Sequence, residues 1–185
     1  DKAEADDIIA VLTMKYGDLP TLIISSDKDY KQLHFKKGVQ QFSPIMKKWI
    51  TVADPKKELA ELIITGDPGD GIPNIRSDAD SIVMGKRQKP ITKKFLDEFH
   101  LNPAKIYRDH KERYDQNEQL IDFTKIPEQI QNTILEEFNK KPTGSINKLY
   151  QLFVARKMPR MLADTELFRI KETEYAIRPE DSFFQ

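Results

Sequence analysis

Three short acidic clusters hold the side chains best suited to metal-ion chemistry. Each cluster falls at a predicted chain reversal, and their carboxylates are Glu4, Asp6, Asp7, Asp27, Asp29, Asp67 and Asp70. Carboxylates gathered in one place repel each other strongly unless cations neutralise them. Oxygen ligands without cysteine or a histidine cluster favour Mg²⁺ or Mn²⁺ over zinc, and two such ions about 3.5–4 Å apart can promote phosphodiester hydrolysis. The clusters therefore predict metal-assisted cleavage of a phosphodiester.

Each cluster also has an ordinary structural explanation. An acidic residue at 27 or 29 could cap a helix, and the turn 67–70 could be an exposed acidic loop. Pro68-Gly69 predicts a type II turn there, which brings its end residues within about 7 Å. Glu4 and Asp6 would lie about 200° apart on a regular helix. Two geometries therefore stay open: Glu4 precedes the helix in extended chain, or the pair on one face is Glu4 with Asp7.

The elements that must position these side chains form an α/β unit in the N-terminal third. We expect a helix that begins near Asp6 and ends at Gly17, and a strand over 22–24 buried on both faces. The remaining elements expected there are a short helix over 29–34, strands over 39–42 and 48–52 paired as a hairpin, and a helix that begins at Pro55. Asp27 and Asp29 then follow the carboxyl end of a parallel strand, where open α/β sheets place ligands.

After Thr65 the pattern changes to a cluster of turn formers, and then to a mainly helical part. The predicted helical stretches are Ser77–Met84, Ile91–Phe99, Pro103–Gln119, Pro127–Asn139 and Ile146–Arg156. We therefore expect an α/β portion over 1–66, a helical portion over 67–156 and a C-terminal tail over 157–185.

A basic segment follows the third acidic cluster and could bind phosphates. Its charged side chains are Lys86, Arg87, Lys89, Lys93 and Lys94. Lysine charge and backbone N–H groups at a helix start can hold a nucleic-acid backbone. The alternative explanation is a solvated lysine-rich helix face. The three histidines are scattered and are interpreted as surface or packing residues.

The composition excludes some classes of protein but does not identify a binding partner. The 185 residues carry 30 lysines and arginines against 30 aspartates and glutamates, so net charge implies no anionic partner. There is no cysteine, which excludes disulfides and thiolate metal sites. Apolar runs are too short for a bilayer span. We expect a soluble, monomeric, cytoplasmic protein without a membrane partner. Because the chain opens inside a helix pattern without methionine, we also expect a fragment of a longer protein.

Three motifs follow one another along the chain: Glu4-Ala5-Asp6-Asp7-Ile8-Ile9-Ala10, Ile24-Ser25-Ser26-Asp27-Lys28-Asp29-Tyr30-Lys31-Gln32-Leu33 and Gly66-Asp67-Pro68-Gly69-Asp70-Gly71-Ile72-Pro73-Asn74. In this order they resemble the motifs of the flap endonuclease/5′-nuclease superfamily, and most of all those of its phage ribonuclease H branch. The stretches 43–49, 76–78, 114–122 and 126–127 are similar as well, so the resemblance covers most of residues 1–156.

The resemblance implies a PIN/5′-nuclease-like fold and a 5′-to-3′ exonuclease and flap endonuclease that removes RNA primers and 5′ flaps during replication. It implies two Mg²⁺ ions, for which Mn²⁺ may substitute, and a helix–three-turn–helix that holds duplex DNA through the basic segment. The implied metal ligands are Glu4, Asp6, Asp27, Asp29, Asp67 and Asp70, with Asp27, Asp29 and Asp70 as catalytic residues. Glu4 would then precede the regular helix. Only Gly85-Lys86 approximates the family's potassium-binding stretch, so support for a K⁺ site is weak.

The family's N-terminal part, with further metal ligands and a helical arch, has no counterpart in this sequence. The isolated chain is therefore expected to bind metal weakly. Its expected partners are duplex DNA with a 5′ flap or RNA primer, together with a single-strand binding protein or a clamp. The alternatives are a non-catalytic duplex-DNA-binding module derived from such a nuclease and, less favoured because of the long helical part, a PIN-type nuclease acting on single-stranded RNA.

Overall fold

Three short strands form a mixed sheet in the N-terminal part of the chain. In the computed structural model, which describes residues 3–140 and 144–168, β1 (Thr21–Ile24) pairs in parallel with β2 (Val39–Ser43). The third strand, β3 (Lys48–Ile50), pairs antiparallel with β2. A 3₁₀ helix over Asp29–Phe35 connects β1 to β2. The expected parallel strand, short helix and hairpin are thus confirmed.

One face of this sheet is exposed, contrary to the expectation that β1 is buried on both faces. Ile23 is buried, whereas its neighbours Leu22 and Ile24 are 53% and 67% exposed. Ile24 lies opposite Phe42, and Phe42 lies opposite Trp49, which is 56% exposed. Because successive side chains of a strand point to opposite faces, these residues form one apolar row that solvent reaches in the described part of the chain.

Two helices of the N-terminal part begin and end where local signals predict. The first, α1, covers Ala5–Tyr16, and Gly17 follows it. The second, α2, covers Pro55–Thr65, with Asp54 accepting hydrogen bonds from the backbone N–H groups of residues 56 and 57. A capping aspartate followed by proline at the first helical position favours this start. Side chains from α1, β1, the 3₁₀ helix and β2 pack together as Ala10, Ile23, Tyr30, Leu33 and Val39.

The helix predicted over Ser77–Met84 is wrong, because this segment forms successive turns instead. Its backbone hydrogen bonds mostly join residues three apart, as between Ser81 and Asp78. The side chain of Asn74 accepts hydrogen bonds from the N–H of Arg76 and the hydroxyl of Ser77. Polar side chains that bond locally to the backbone compete with the helical ladder. The helix–three-turn–helix therefore stays a prediction.

The remaining helices confirm a mainly helical second part. They are α3 (Lys93–Leu101), α4 (Pro103–Asp109), α5 (Lys111–Ile121), α6 (Glu128–Asn139), α7 (Ile146–Ala155) and α8 (Pro159–Ala163), with 3₁₀ turns over Phe123–Lys125 and Thr165–Phe168. The single helix expected over 103–119 is broken at His110, whose backbone is non-helical. The ring of His110 packs edge-on against Phe95, which fixes it between α4 and α5.

Contacts group the chain into two compact units, one up to Leu135 and one from Glu136 onward. The first unit includes residues on both sides of the expected boundary at 66. Asn117 of α5 is fully buried and donates hydrogen bonds to the carbonyls of Ile63 and Pro73, 2.9 Å each. These bonds tie α5 to the end of α2 and to the loop that follows it.

The second unit is helical among its described residues. The buried Phe153 of α7 packs against the ring of Phe168, with centroids 5.6 Å apart. The expected tail over 157–185 thus begins with α8 and a 3₁₀ turn, and its residues 169–185 lie outside the described residues. No helix in the described ranges is long and apolar enough to cross a membrane.

Candidate metal centre

Two loops bring three carboxylates together. Asp29 is the first residue of the 3₁₀ helix after β1, while Asp67 and Asp70 lie in the loop after α2. Each offers one carboxylate oxygen, and these oxygens all lie within 4.8 Å of one another. A single cation of Mg²⁺ or Ca²⁺ type, with metal–oxygen distances of about 2.0–2.6 Å, can bridge oxygens at that separation.

The loop that carries Asp67 and Asp70 has a different turn from the one expected. A type II turn over 67–70 requires a positive φ at Gly69, but the positive φ occurs at Gly71, at 77°. Oδ1 of Asp67 accepts the N–H of Gly69 at 2.9 Å, and a β-bridge between Asp67 and Ile72 closes the loop. The side-chain bond of Asp67 replaces the predicted turn, yet Asp67 and Asp70 still approach each other.

The loop that carries Asp27 and Asp29 is held by polar side chains of β2. Gln41 is fully buried and donates hydrogen bonds to the carbonyls of Ser25 at 3.0 Å and Asp27 at 2.7 Å. Oδ1 of Asp27 accepts the backbone N–H of Asp29 at 3.0 Å. Because β2 pairs with β1, these bonds fix the chain just past the carboxyl end of β1.

Asp29 has a buried oxygen, Oδ1, without a hydrogen-bond partner among the described residues, and other carboxylates lie nearby. Burial, followed by the charges of Asp27, Asp67 and Asp70, raises the pKa of Asp29 to about 6, while Lys28 opposes this shift. A buried carboxylate oxygen without a donor is costly, and a cation at that position would remove the cost.

Asp67 is held as an anion by its neighbours. Burial pushes its pKa upward, but the hydrogen bonds from Lys28 and from the N–H of Gly69 prevail and place the pKa below its ordinary value. Nζ of Lys28 lies 2.9 Å from Oδ2 of Asp67. The hydrogen bond to Asp67, with the charges of Asp29 and Asp27, in turn raises the pKa of Lys28.

The other predicted ligands lie around this cluster but not in it. The charge of Asp27 contributes to the raised pKa of Asp29. Burial raises the pKa of Tyr30, and the charges of Asp6, Asp27 and Asp29 raise it further. Asp6 accepts a 2.6 Å hydrogen bond from the hydroxyl of Tyr30. Glu4 precedes α1 with an extended backbone, the first of the two geometries considered above. Whether Glu4, Asp6 and Asp27 ligate a metal stays a prediction.

The basic segment is exposed and runs from the loop before α3 into the first turn of that helix. Lys86, Arg87, Lys89, Lys93 and Lys94 are all exposed, and Lys86 forms an ion pair with Asp80 at 2.9 Å. The hydroxyl of Ser77 accepts the N–H of Lys89, and the amide of Asn74 donates to the carbonyl of Lys89. These hydrogen bonds therefore fix the backbone of the segment at the protein surface.

Sequence reasoning missed three side chains that organise the centre. Lys28 belongs to the second acidic motif but was assigned no role there. Its position between Asp27 and Asp29 is a signal that it forms an ion pair within the acidic site. Tyr30 carried no such signal, because its partner Asp6 lies 24 positions away. Gln41 could have been found from the strand pattern, because it lies between Val39 and Ser43 on the buried face of β2 and is therefore a buried polar residue.

Comparison with known proteins identifies the family. The family described as "T4 RNase H, C terminal" matches residues 54–168, more than half of the chain. The chain belongs to this family. It is also 35% identical over 173 residues to Ribonuclease H of Enterobacteria phage T4, a match that covers 87% of the chain. The chain spans only 56% of the length of that protein. The resemblance to the 5′-nuclease superfamily and its phage ribonuclease H branch, seen first in the acidic motifs, is thereby confirmed.

The residues present in this member of the T4 RNase H family fit a divalent metal. The three clustered carboxylates supply hard oxygen ligands, and the buried oxygen of Asp29 lacks a donor among the described residues. Such ligands suit Mg²⁺ or Mn²⁺.

Proposed function

We propose that this chain is the C-terminal part of a Mg²⁺-dependent 5′-nuclease that hydrolyses phosphodiesters in RNA primers and 5′ flaps on duplex DNA. The observation that supports this most directly is the convergence of Asp29, Asp67 and Asp70, with their ligand atoms within 4.8 Å of one another. Membership of the T4 RNase H family supports the same chemistry.

In this function the chain's own side chains hold the metal and present charge to the phosphate. Asp29, Asp67 and Asp70 would ligate Mg²⁺, with Asp27 beside Asp29 and with Asp6 and Glu4 approaching from α1. A bound divalent ion supplies Lewis acidity and a more acidic water at neutral pH. Gln41 would hold the backbone that carries Asp27 and Asp29 in place, since it donates hydrogen bonds to the carbonyls of Ser25 and Asp27.

The basic segment would hold the duplex through its phosphates. Arg87, Lys89, Lys93 and Lys94 are exposed, and Thr92 caps α3 by accepting the N–H of Phe95, so lysine charge lies at a helix start. Phosphate contacts of this kind position a duplex without reading its sequence. Binding should weaken steeply as salt concentration rises.

The test is Mg²⁺-dependent cleavage of a 5′-flap duplex by this chain joined to the preceding part of phage T4 ribonuclease H. We expect cleavage that falls by at least about a hundredfold on Asp29→Asn or Asp70→Asn, because removal of a metal ligand removes transition-state stabilisation. Duplex binding should stay within about twofold of the unsubstituted protein, since these carboxylates are not phosphate donors. Asp18→Asn, an exposed aspartate paired with Lys36, is the matched control and should cleave normally.

The second candidate function is a non-catalytic duplex-binding module. The exposed basic segment favours it. This function predicts salt-dependent duplex affinity that is lost on Lys93→Ala with Lys94→Ala, and no product under any metal condition. Cleavage that survives Asp29→Asn and Asp70→Asn unchanged would reject the assigned metal site.

A further inference from the structure

Lys28 forms an ion pair with Asp67, one of the three clustered carboxylates. Nζ of Lys28 is 2.9 Å from Oδ2 of Asp67, whose side chain is only 14% exposed. The other oxygen of Asp67, Oδ1, accepts the N–H of Gly69 and so belongs to the loop itself. Of the two bonds, only the one from Lys28 can be released without disturbing the loop.

A divalent cation and this ammonium group would occupy adjacent positions. Oδ2 is the oxygen of Asp67 that the backbone does not hold, and a metal shared by Asp29, Asp67 and Asp70 that binds this oxygen would lie next to the ammonium of Lys28. Two like charges at that separation repel each other in a partly buried setting. The side chain of Lys28 is 51% exposed, and its flexible stem allows the ammonium to withdraw into water.

We infer that Lys28 is a resident counter-ion that holds Asp67 before metal entry and competes with the divalent cation for it. The inference rests on the proposed metal site and deepens it, because it assigns a positioning residue that tunes metal affinity. In the metal-free protein the ammonium offsets the repulsion among the three carboxylates. Metal binding then includes the release of Lys28, which lowers the affinity relative to a site without the lysine.

A nearby lysine supplies the matched control. Lys31 lies three residues further along, inside the 3₁₀ helix that Lys28 precedes, and forms an ion pair of the same length, 2.9 Å, with Glu58. Glu58 is not in the carboxylate cluster. Removing Lys31 changes the net charge as much as removing Lys28, but it leaves Asp67 untouched.

The experiment measures Mn²⁺ binding to the chain by titration calorimetry at one pH, and its thermal unfolding in chelator. We expect Lys28→Met to bind Mn²⁺ about three- to tenfold more tightly than the unsubstituted chain, because a competing charge is removed. The same variant should unfold at a lower temperature in chelator, and Mn²⁺ should narrow that gap. Lys28→Arg should restore the original affinity, and Lys31→Met should not alter it.

Equal Mn²⁺ affinity in Lys28→Met and the unsubstituted chain would overturn the inference while the metal site stands. An equal gain in Lys31→Met would also overturn it, since general electrostatics would then suffice. If neither the unsubstituted chain nor Lys28→Met binds Mn²⁺ even at millimolar concentration, the metal site and the inference both fail. Loss of binding in Asp67→Asn, together with tighter binding in Lys28→Met, supports both.

Discussion

The hydroxyl of Tyr30 donates a 2.6 Å hydrogen bond to Oδ1 of Asp6 and thereby joins α1 to the loop that carries Asp29. Tyr30 is 3% exposed, and burial together with this bond raises its pKa above the ordinary value. A single side-chain contact thus connects the first acidic cluster to the second. It is the described contact that brings Asp6 towards the metal centre.

Tyr30→Phe should destabilise the chain by about 1.5 kcal/mol, because a hydrogen bond to a carboxylate is lost while the ring packing against Phe123 remains. Urea denaturation measures this change, and Mn²⁺ titration should show weaker binding if Asp6 is a ligand. Tyr150→Phe, an exposed tyrosine of α7, is the control and should leave stability unchanged. Equal stabilities for Tyr30→Phe and the unsubstituted chain would contradict the role assigned to this bond.

The pKa of Asp29 predicts how the stability of the metal-free chain depends on pH. Burial and neighbouring carboxylates raise it from 3.8 to about 6, so the folded state binds its proton more tightly than the unfolded state. Stability is therefore highest below pH 4 as far as this group is concerned, and it falls as pH rises from 4 to 6. Because solvent screens a half-buried carboxylate, the fall should be about 1 kcal/mol.

Denaturation in chelator across this pH range measures the effect. Asp29→Asn should remove the decline, and added Mn²⁺ should reverse it above pH 6, where the carboxylate is free to bind metal. A variant that keeps the full pH dependence would show that Asp29 is not the responsible group.

Elements with strong local signals were predictable from the sequence. The start of α2 follows from Asp54 and Pro55, and the hairpin follows from two short runs that contain β-branched and aromatic residues. The segment 77–84 was not predictable in this way, because the side chain of Asn74 accepts hydrogen bonds from the N–H of Arg76 and the hydroxyl of Ser77, and such local bonds compete with the helical ladder. The exposure of Ile24 could not be predicted either, because the sequence of a strand does not show which other elements cover its two faces.

The candidate site was predictable to the extent that backbone topology decides it. Asp29 follows the carboxyl end of a parallel strand, where open α/β sheets place ligands. Asp67 follows the end of α2, and that rule does not bring it to the same edge. The pairing of Lys28 with Asp67 and of Tyr30 with Asp6 depends on side chains that meet only after folding. No spacing rule relates partners 39 or 24 positions apart.

Gln41 should matter far more than its neighbour Gln40. Gln41→Leu leaves the carbonyls of Ser25 and Asp27 without their buried donor and should cost about 2–3 kcal/mol. It should also weaken Mn²⁺ binding, because the loop that carries Asp29 is no longer held against β2. Gln40→Leu changes an exposed residue on the opposite face and should shift stability by less than about 0.5 kcal/mol. Similar losses for the two variants would contradict the assigned role of Gln41.

Because one sheet face is exposed, a polar substitution should be tolerated at Ile24 but not at the adjacent Ile23. Ile24→Asn should cost less than about 1 kcal/mol because Ile24 is 67% exposed, whereas Ile23→Asn should cost at least about 3 kcal/mol. Trp49 is the single tryptophan of the chain and lies on the same face as Ile24, so acrylamide should quench its fluorescence efficiently. A costly Ile24→Asn, or a protected Trp49, would show that this face is covered in solution.

Gly66 and Gly85 form a matched pair for testing the loop that carries Asp67. Both have positive φ, 68° and 62°, so either alanine variant is strained, and the ψ of −176° at Gly66 lies in a region that only glycine adopts readily, at a cost of about 1–3 kcal/mol. A Cβ on Gly66 would also lie 2.4 Å from the carbonyl oxygen of Ile72, whereas one on Gly85 would meet nothing within 4 Å. Gly66→Ala should therefore cost at least about 3 kcal/mol and abolish Mn²⁺ binding, because relief of the clash moves Asp67. Gly85→Ala should bind Mn²⁺ normally, and equal urea midpoints for the two variants would contradict the close approach of Gly66 to Ile72.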